Sequence, residues 1–418
     1  MSRREPTLRS LFRGPSTCPR PLRRGATAIN PPNGDRGTLP SMDLHAYLHA
    51  LVQPLEVGEE LAAGVRFVGA STELGPRLCF ETPSGPVAVE IALREHMPRF
   101  AVESGPWALS YRAGTSDAPV DSAVGLAVCQ RVAQRLAAQT RRIPDAAAAP
   151  RVREVRAHRM LEWRSLGPQS HYTLSPYVGC TIGCRYCYAQ TRLSPARAMM
   201  GLPQVPWGSY VDVRIDAAEV LRAELAEAKP GPIKFCPIVS DPYQALEQRY
   251  RVTRSCLQVL ADAPAGFTTM LLTRSGDILQ DAELIAALPT ARVGVSLPSA
   301  DPDVLTHFEP RAAALATRIE VLERFSALGV TTMAVVQPML PGPVEALADL
   351  LAAHVQSVSM GGLQGTNDAG PLFDSGPYRG CGEDSWQRDR FAALTEALDR
   401  RGLPRWDGEL PPELRGTA

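Results

Sequence analysis

The sequence predicts an α/β chain in which a small α+β domain precedes a partial (β/α)6 barrel. Three observations predict it: six apolar, β-branched runs alternating with helical stretches after residue 165, a strand-rich pattern of another kind before residue 150, and an alanine- and proline-rich break between them. Strands that alternate with helices pair in parallel through right-handed crossovers. Six of them suit a partial barrel, with the chemistry at the C-terminal strand ends.

In chain order, residues 1–41 are rich in Arg, Pro and Gly and lack a hydrophobic period, so they are expected as a disordered basic segment, and Met42 is a second candidate start. Residues 42–148 read as the small α+β domain, of unknown role: a helix from 44, strand runs at 65–68, 78–81, 87–91 and 107–111, and an amphipathic helix at 124–139. Residues 149–164 are expected as a linker. The barrel is assigned to 165–362, with strands at 172–174, 233–239, 268–273, 292–297, 330–336 and 357–360 and helices at 217–228, 254–261, 281–288, 311–328 and 344–353. Residues 363–418 are expected as an irregular C-terminal segment with a closing helix at 385–400.

Lys+Arg and Asp+Glu balance at 44 each. The balance hides an asymmetry, because residues 1–41 carry eight arginines against Glu5 and Asp35. The remainder is therefore mildly acidic, and net charge gives no support to a general DNA-binding role. No apolar run approaches the roughly 18 residues of a membrane span. Nine cysteines, an odd number, and the lack of an apolar h-region after the first arginines point to a reducing, cytoplasmic setting.

The chemical signal is Tyr177-Val-Gly-Cys180-Thr-Ile-Gly-Cys184-Arg-Tyr-Cys187-Tyr188, directly after the first barrel strand. Thiolates are soft ligands for iron–sulfur clusters or zinc, and Gly179 and Gly183 permit the tight turns that wrap a metal. Structural zinc wants four ligands; His171 and Cys236 are the candidates to complete such a set. Three buried cysteines without metal is the remaining reading. Cys381, Cys18, Cys79, Cys129 and Cys256 show no metal spacing, and His158, His307 and His354 have neither carboxylate nor cysteine spacing.

The Cys-x3-Cys-x2-Cys pattern, with aromatic Tyr186 before the last cysteine, resembles the radical S-adenosylmethionine (SAM) signature. From about residue 165 to 342 the chain resembles the spore photoproduct lyase branch of that superfamily. The stretches that carry this are Cys184-Arg-Tyr-Cys-Tyr-Ala-Gln-Thr191, Ser240-Asp-Pro-Tyr-Gln244, Thr273-Arg-Ser275, Val295-Ser-Leu297, Phe308-Glu-Pro-Arg311 and Gln337-Pro-Met-Leu-Pro-Gly342. The resemblance implies a partial radical SAM barrel and an enzyme, of lyase type in that branch. Its [4Fe-4S] cluster would be held by Cys180, Cys184 and Cys187, with S-adenosyl-L-methionine on the open iron. An electron from a flavodoxin- or ferredoxin-like partner would cleave SAM to a 5′-deoxyadenosyl radical that abstracts hydrogen from an unidentified substrate.

By the same resemblance, Ser240 and Asp241 lie near the SAM amino group, Arg274 near its carboxylate and Ser296 near its ribose or methionine end. Read without the family, these are a turn, an exposed strand-end cation and a small strand residue. Tyr186 and Tyr188 match a radical-relaying tyrosine pair, and equally serve as a shield for the cluster. One departure bears on substrate: the lyases place a hydrogen-donating cysteine directly before the Ser-Asp pair, where this chain has Val239. Cys236 falls on the opposite strand face by the period of two. The alternatives to a radical SAM enzyme of unassigned substrate are a nucleic-acid lesion lyase and a non-catalytic zinc- or cluster-binding protein.

Overall fold

The computed structural model describes residues 42–72, 75–114, 120–137, 151–235 and 238–416; the predicted basic segment 1–41, Cys18 and Cys236 lie outside them. The first unit is built on α1 (Leu44–Val52), capped by the Asp43 carboxylate, which accepts from the Ala46 N–H at 2.8 Å. Six antiparallel strands follow: β1 (Glu60–Ala62), β2 (Val65–Ser71), β3 (Arg77–Thr82), β4 (Gly85–Leu93), β5 (Val102–Ser104) and β6 (Trp107–Ala113), in the order β1-β2-β3-β4-β6-β5. The expected strand runs correspond to β2, β3, β4 and β6. β1 and β5 are three residues each, too short to show a period. Phe67, Phe80, Val89 and Leu109 share one core with Leu48 and Leu51 of α1, while Val68, Cys79 and Ala88 form a second buried cluster. α2 (Ser122–Ala137) adds Val128, Val132 and Leu136, at helical spacing. Gly125 lets α2 lie close to the sheet: a Cβ there would sit 2.2 Å from the Tyr111 ring.

The second unit contains β7 (Val152–Val155), β8 (Leu161–Arg164), β9 (His171–Leu174), β10 (Tyr177–Val178), β11 (Val211–Arg214), β12 (Pro232–Phe235), β13 (Thr268–Thr273), β14 (Ala291–Ser296), β15 (Thr331–Val336), β16 (Ser357–Met360) and β17 (Arg405–Trp406). The large sheet runs β17-β16-β15-β14-β13-β12-β9-β8, parallel throughout except for β8 against β9. The six expected strands are β9, β12, β13, β14, β15 and β16, and they curl into a half-barrel. One side of these strands, including Phe235, Leu271, Val293 and Val336, packs on helices through Leu257, Phe325 and Leu351.

Two expectations need correction. The segment 149–164 holds β7 and β8 rather than a plain linker; β7 pairs with β11, and β8 forms the sheet edge. Their charged residues hide them from a hydrophobicity reading, yet Arg153 and Glu162 are buried because each has a partner: Arg153 Nε donates to Asp212 at 2.8 Å, and Glu162 meets His45 at 3.2 Å. The segment 363–418 contains the expected closing helix (Asp384–Arg400), and its tail is ordered over the base of the barrel. There Trp406 and Leu410 pack on Met270 and Met333, Glu409 pairs with Lys234 at 2.5 Å and Glu413 with Arg292 at 2.7 Å.

The units are joined by α3 (Ala189–Met199), which begins two residues after Cys187. Its distal end, with Met200 and Leu202, is part of the core of the first unit, and Tyr47 donates to the Met199 carbonyl. A buried polar seam runs beside it. Glu162 accepts from Ser71 and from the Thr72 N–H (3.2 Å) and meets His45, while Arg214 lies 3.5 Å from Asp43.

Burial acts to raise the Glu162 pKa, but the hydrogen bond and charge of His45, with Ser71 and Thr72, outweigh it and hold the group at about 2, against an ordinary 4.5. A depressed carboxyl contributes stability above its unfolded pKa and loses it as pH falls through the folded one. Glu162→Gln is therefore expected to lower stability at neutral pH by about 3 kcal/mol. Urea unfolding should show its deficit against the native protein shrinking as pH falls from 4.5 toward 2.

Candidate active site

The loop after β10 carries the three cysteines, and neighbouring elements hold its backbone in place. Gly179 donates to the Val239 carbonyl at 3.1 Å, and Gln244 takes the Thr181 N–H at 2.8 Å while giving its amide to the Gly179 carbonyl (3.2 Å) and to Ser240 Oγ (2.9 Å). Arg185 donates to the Phe308 carbonyl at 3.0 Å, and Arg311 donates to the carbonyls of Thr181 and Gly208. Glycine is required twice. Gly179 has φ +94°, and a Cβ there would lie 2.5 Å from the Tyr210 carbonyl oxygen; Gly183 has φ +64°, and its Cβ would meet Arg311 at 2.2 Å and Gly208 Cα at 3.0 Å.

All nine residues singled out from sequence line one cavity at the C-terminal strand ends: Cys180, Cys184, Cys187, Tyr186, Tyr188, Ser240, Asp241, Arg274 and Ser296. Its volume, including the part open to solvent, is about 850 Å³. His171, a candidate fourth zinc ligand, is not among the lining residues; its Nδ1 lies 2.8 Å from the Gln169 carbonyl.

The thiols are strongly perturbed. Burial pushes Cys180 up to about 12, reinforced by Asp241 and Cys187 and opposed by the N–H groups of Ile182 and Asp241. Burial raises Cys184 well above its ordinary value and also raises Cys187. Thiolates are the donors an iron–sulfur cluster takes, and a metal centre bound here would draw the three thiols into that form. The three cysteines border one cavity, and no further Cys and no His is among its described lining residues. The remainder of the cavity fits a polar ligand: the buried Ser296 hydroxyl has no hydrogen-bond partner among the described residues, and the residue borders the cavity.

A carboxylate that sequence reasoning left without a role organises the floor. Glu309, fully buried, accepts from the Tyr186 hydroxyl and from Arg274 Nε (2.9 Å), and pairs with Arg318 at 2.5 Å. Burial works to raise its pKa, and Arg318 and Arg274 outweigh that and hold it ionised. Asp241 is committed as well: it accepts from Thr273 Oγ1 (2.7 Å), the Tyr243 N–H (2.9 Å) and the Arg274 N–H (2.8 Å). Of about four acceptor positions on a carboxylate, one remains, on Oδ2. Gln244, Glu309 and Arg311 lie inside stretches that carry the family resemblance, but their contacts cross 63 to 130 residues of sequence. Local pattern gives no access to them.

Residues 174–354 match the family model described as "Radical SAM superfamily". The uncharacterized protein MJ0683 of Methanocaldococcus jannaschii is 24% identical over 178 residues, 43% of this chain and 64% of that protein. The uncharacterized protein Rv2578c of Mycobacterium tuberculosis is 28% identical over 207 residues, 46% and 58% respectively. The chain thus spans less than two thirds of either relative's length. Among solved structures, spore photoproduct lyase complexed with dinucleoside spore photoproduct aligns with TM-score 0.44 and 14% identity, covering 64% of this chain and 86% of that one. The radical SAM methyltransferase TsrM of Kitasatospora setae aligns with TM-score 0.33 and 12% identity, covering 46% and 35%.

Gly179→Ala should abolish most iron uptake on anaerobic reconstitution, measured as iron and sulfide per chain. Gly329→Ala carries a comparable positive-φ strain (φ +75°) but has nothing within 4 Å of the added Cβ, and should take up iron like the native protein. The segment 174–354, which holds the three cysteines and most of the half-barrel, is thus similar to the radical SAM superfamily, whose cofactors are a [4Fe-4S] cluster and S-adenosylmethionine.

Proposed function

We propose that this chain is a radical SAM enzyme in which Cys180, Cys184 and Cys187 ligate the [4Fe-4S] cluster and the far side of the same cavity holds SAM and a substrate not yet identified. The observation that carries the reading is the convergence of three thiols, those of Cys180 and Cys184 buried and that of Cys187 partly so, and the polar residues of four different strand ends on one cavity. When bound, the cluster and SAM supply a 5′-deoxyadenosyl radical for hydrogen abstraction, given an electron from a flavodoxin- or ferredoxin-like donor.

The chain's own residues orient and shield. Arg274 gives Nε to Glu309 and one N–H of Nη2 to the Tyr186 hydroxyl at 3.5 Å, leaving Nη1 and the other Nη2 hydrogen for the SAM carboxylate. The free Asp241 position and the Ser240 hydroxyl suit the ammonium group, and the unpartnered Ser296 hydroxyl suits the ribose. Tyr186 gives its hydroxyl to Glu309 and is 5% exposed, which favours a shield over a radical relay; Tyr188 borders the cavity without such an anchor. Radical chemistry demands exclusion of water and stray hydrogen donors, and the apolar cluster of Ile182, Phe308, Leu340 and Phe373 around the cysteines serves that need.

A lesion lyase that returns hydrogen from a thiol is not supported. Val239 packs against Leu193 and Tyr210, and the thiols among the described lining residues are the three of the loop. A zinc-binding protein has the metal content against it as soon as iron and sulfide are found. The test is deoxyadenosine release from SAM with dithionite after anaerobic reconstitution. Native protein is expected to release it, and the Cys180→Ala, Cys184→Ala, Cys187→Ala triple variant to release none; zinc without iron in the native protein overturns the proposal.

A further inference from the structure

We infer that Trp207 is a positioning residue for the cluster: its indole N–H donates a hydrogen bond to a sulfur of the iron–sulfur group held by the cysteine loop. The inference rests on the proposed cluster site and adds to it a donor from outside the cysteine signature. Trp207 Nε1 is shut off from solvent, and among the described residues no acceptor lies within its reach. A buried N–H left unmade costs about 1–3 kcal/mol, so such a group ordinarily has a partner in the loaded protein. The ring borders the same cavity as Cys180, Cys184 and Cys187 and packs on the apolar cluster that contains Cys180, Ile182, Cys184 and Tyr186.

The turn that carries the ring is fixed against the loop rather than free to swing. Gly208 gives its carbonyl to Arg311, which also grips Thr181, and the Cβ position of Gly183 lies 3.0 Å from Gly208 Cα. Ser209 closes the turn on Pro206, through its N–H at 3.2 Å and its hydroxyl at 2.6 Å, and Tyr210 meets the indole edge to face at 5.8 Å. The other polar side chains that border the cavity, among them Ser240, Asp241, Ser296, Gln337 and Gln364, give Trp207 Nε1 no acceptor, whereas its turn lies against the cysteine loop at Gly183. The acceptors the indole is assigned are therefore the sulfurs of the cluster and its thiolates. Hydrogen bonds to those sulfurs stabilise the reduced, more negative state and raise the potential.

The experiment compares native protein with Trp207→Phe, which keeps an aromatic wall and removes the donor, after anaerobic reconstitution of both. A redox titration followed by EPR is expected to give a more negative midpoint in the variant at equal iron content, with loss of one exchangeable-proton coupling in the ENDOR spectrum of the reduced cluster. Equal midpoints and unchanged proton couplings overturn the inference while leaving the cluster site intact. Native protein without a cluster overturns the site itself. A variant that fails to assemble is covered by native protein grown on indole-15N tryptophan: a 15N coupling to the reduced cluster supports the bond, and none overturns it.

Discussion

One buried negative charge sets the arrangement of the cavity floor. Glu309 lies where water cannot reach, and its ionised state is sustained by Arg318 on one side and Arg274 on the other. A carboxylate so placed is stable only while both cations stay close, and each cation is safe from isolation only while the carboxylate stays. Tyr186, the residue before Cys187, joins the same charge through its hydroxyl. The position of the cysteine loop, the end of β13 and the helix Leu315–Ala327 are therefore interdependent. An apolar floor of the same shape would pack as well, but it would not fix where Arg274 points its remaining N–H groups.

The second dependence is mechanical. α3 starts beside Cys187 and ends inside the core of the first unit, so the small domain is anchored to the loop that bears the cysteines rather than appended to the barrel. The buried seam of Asp43, His45, Glu162 and Arg214 resists sliding between the units, because each of its charges would be stranded in a low-dielectric interior. α3, with Pro195 in its interior, and the seam together tie the core of the first unit to the loop at the rim of the cavity.

Much of this was legible in the sequence. Period and β-branching located the six barrel strands, because parallel strands buried on both faces read as continuous apolar runs. The cysteine spacing named one part of the cavity wall, and the strand-end residues Ser240, Asp241, Arg274 and Ser296 were reached through the family resemblance, since locally they read as a turn, an exposed cation and a small strand residue. What escaped notice did so for physical reasons. β7 and β8 carry charges whose burial makes sense only beside Asp212 and His45, which are far away in sequence. Glu309, Gln244 and Arg311 look like ordinary surface polar residues until folding brings the loop to them. Trp207 gives no signal at all, because an indole in a Pro- and Gly-rich turn is read as packing.

The tail has a consequence for the sheet it lies against. Trp406 and Leu410 pack on Met270 of β13 and Met333 of β15, while Glu409 and Glu413 pair with Lys234 of β12 and Arg292 of β14. The last residues of the described chain thus clasp four successive strands at once, so strands joined to one another by their ladders are joined a second time through one segment, and fraying any of them first requires the clasp to lift.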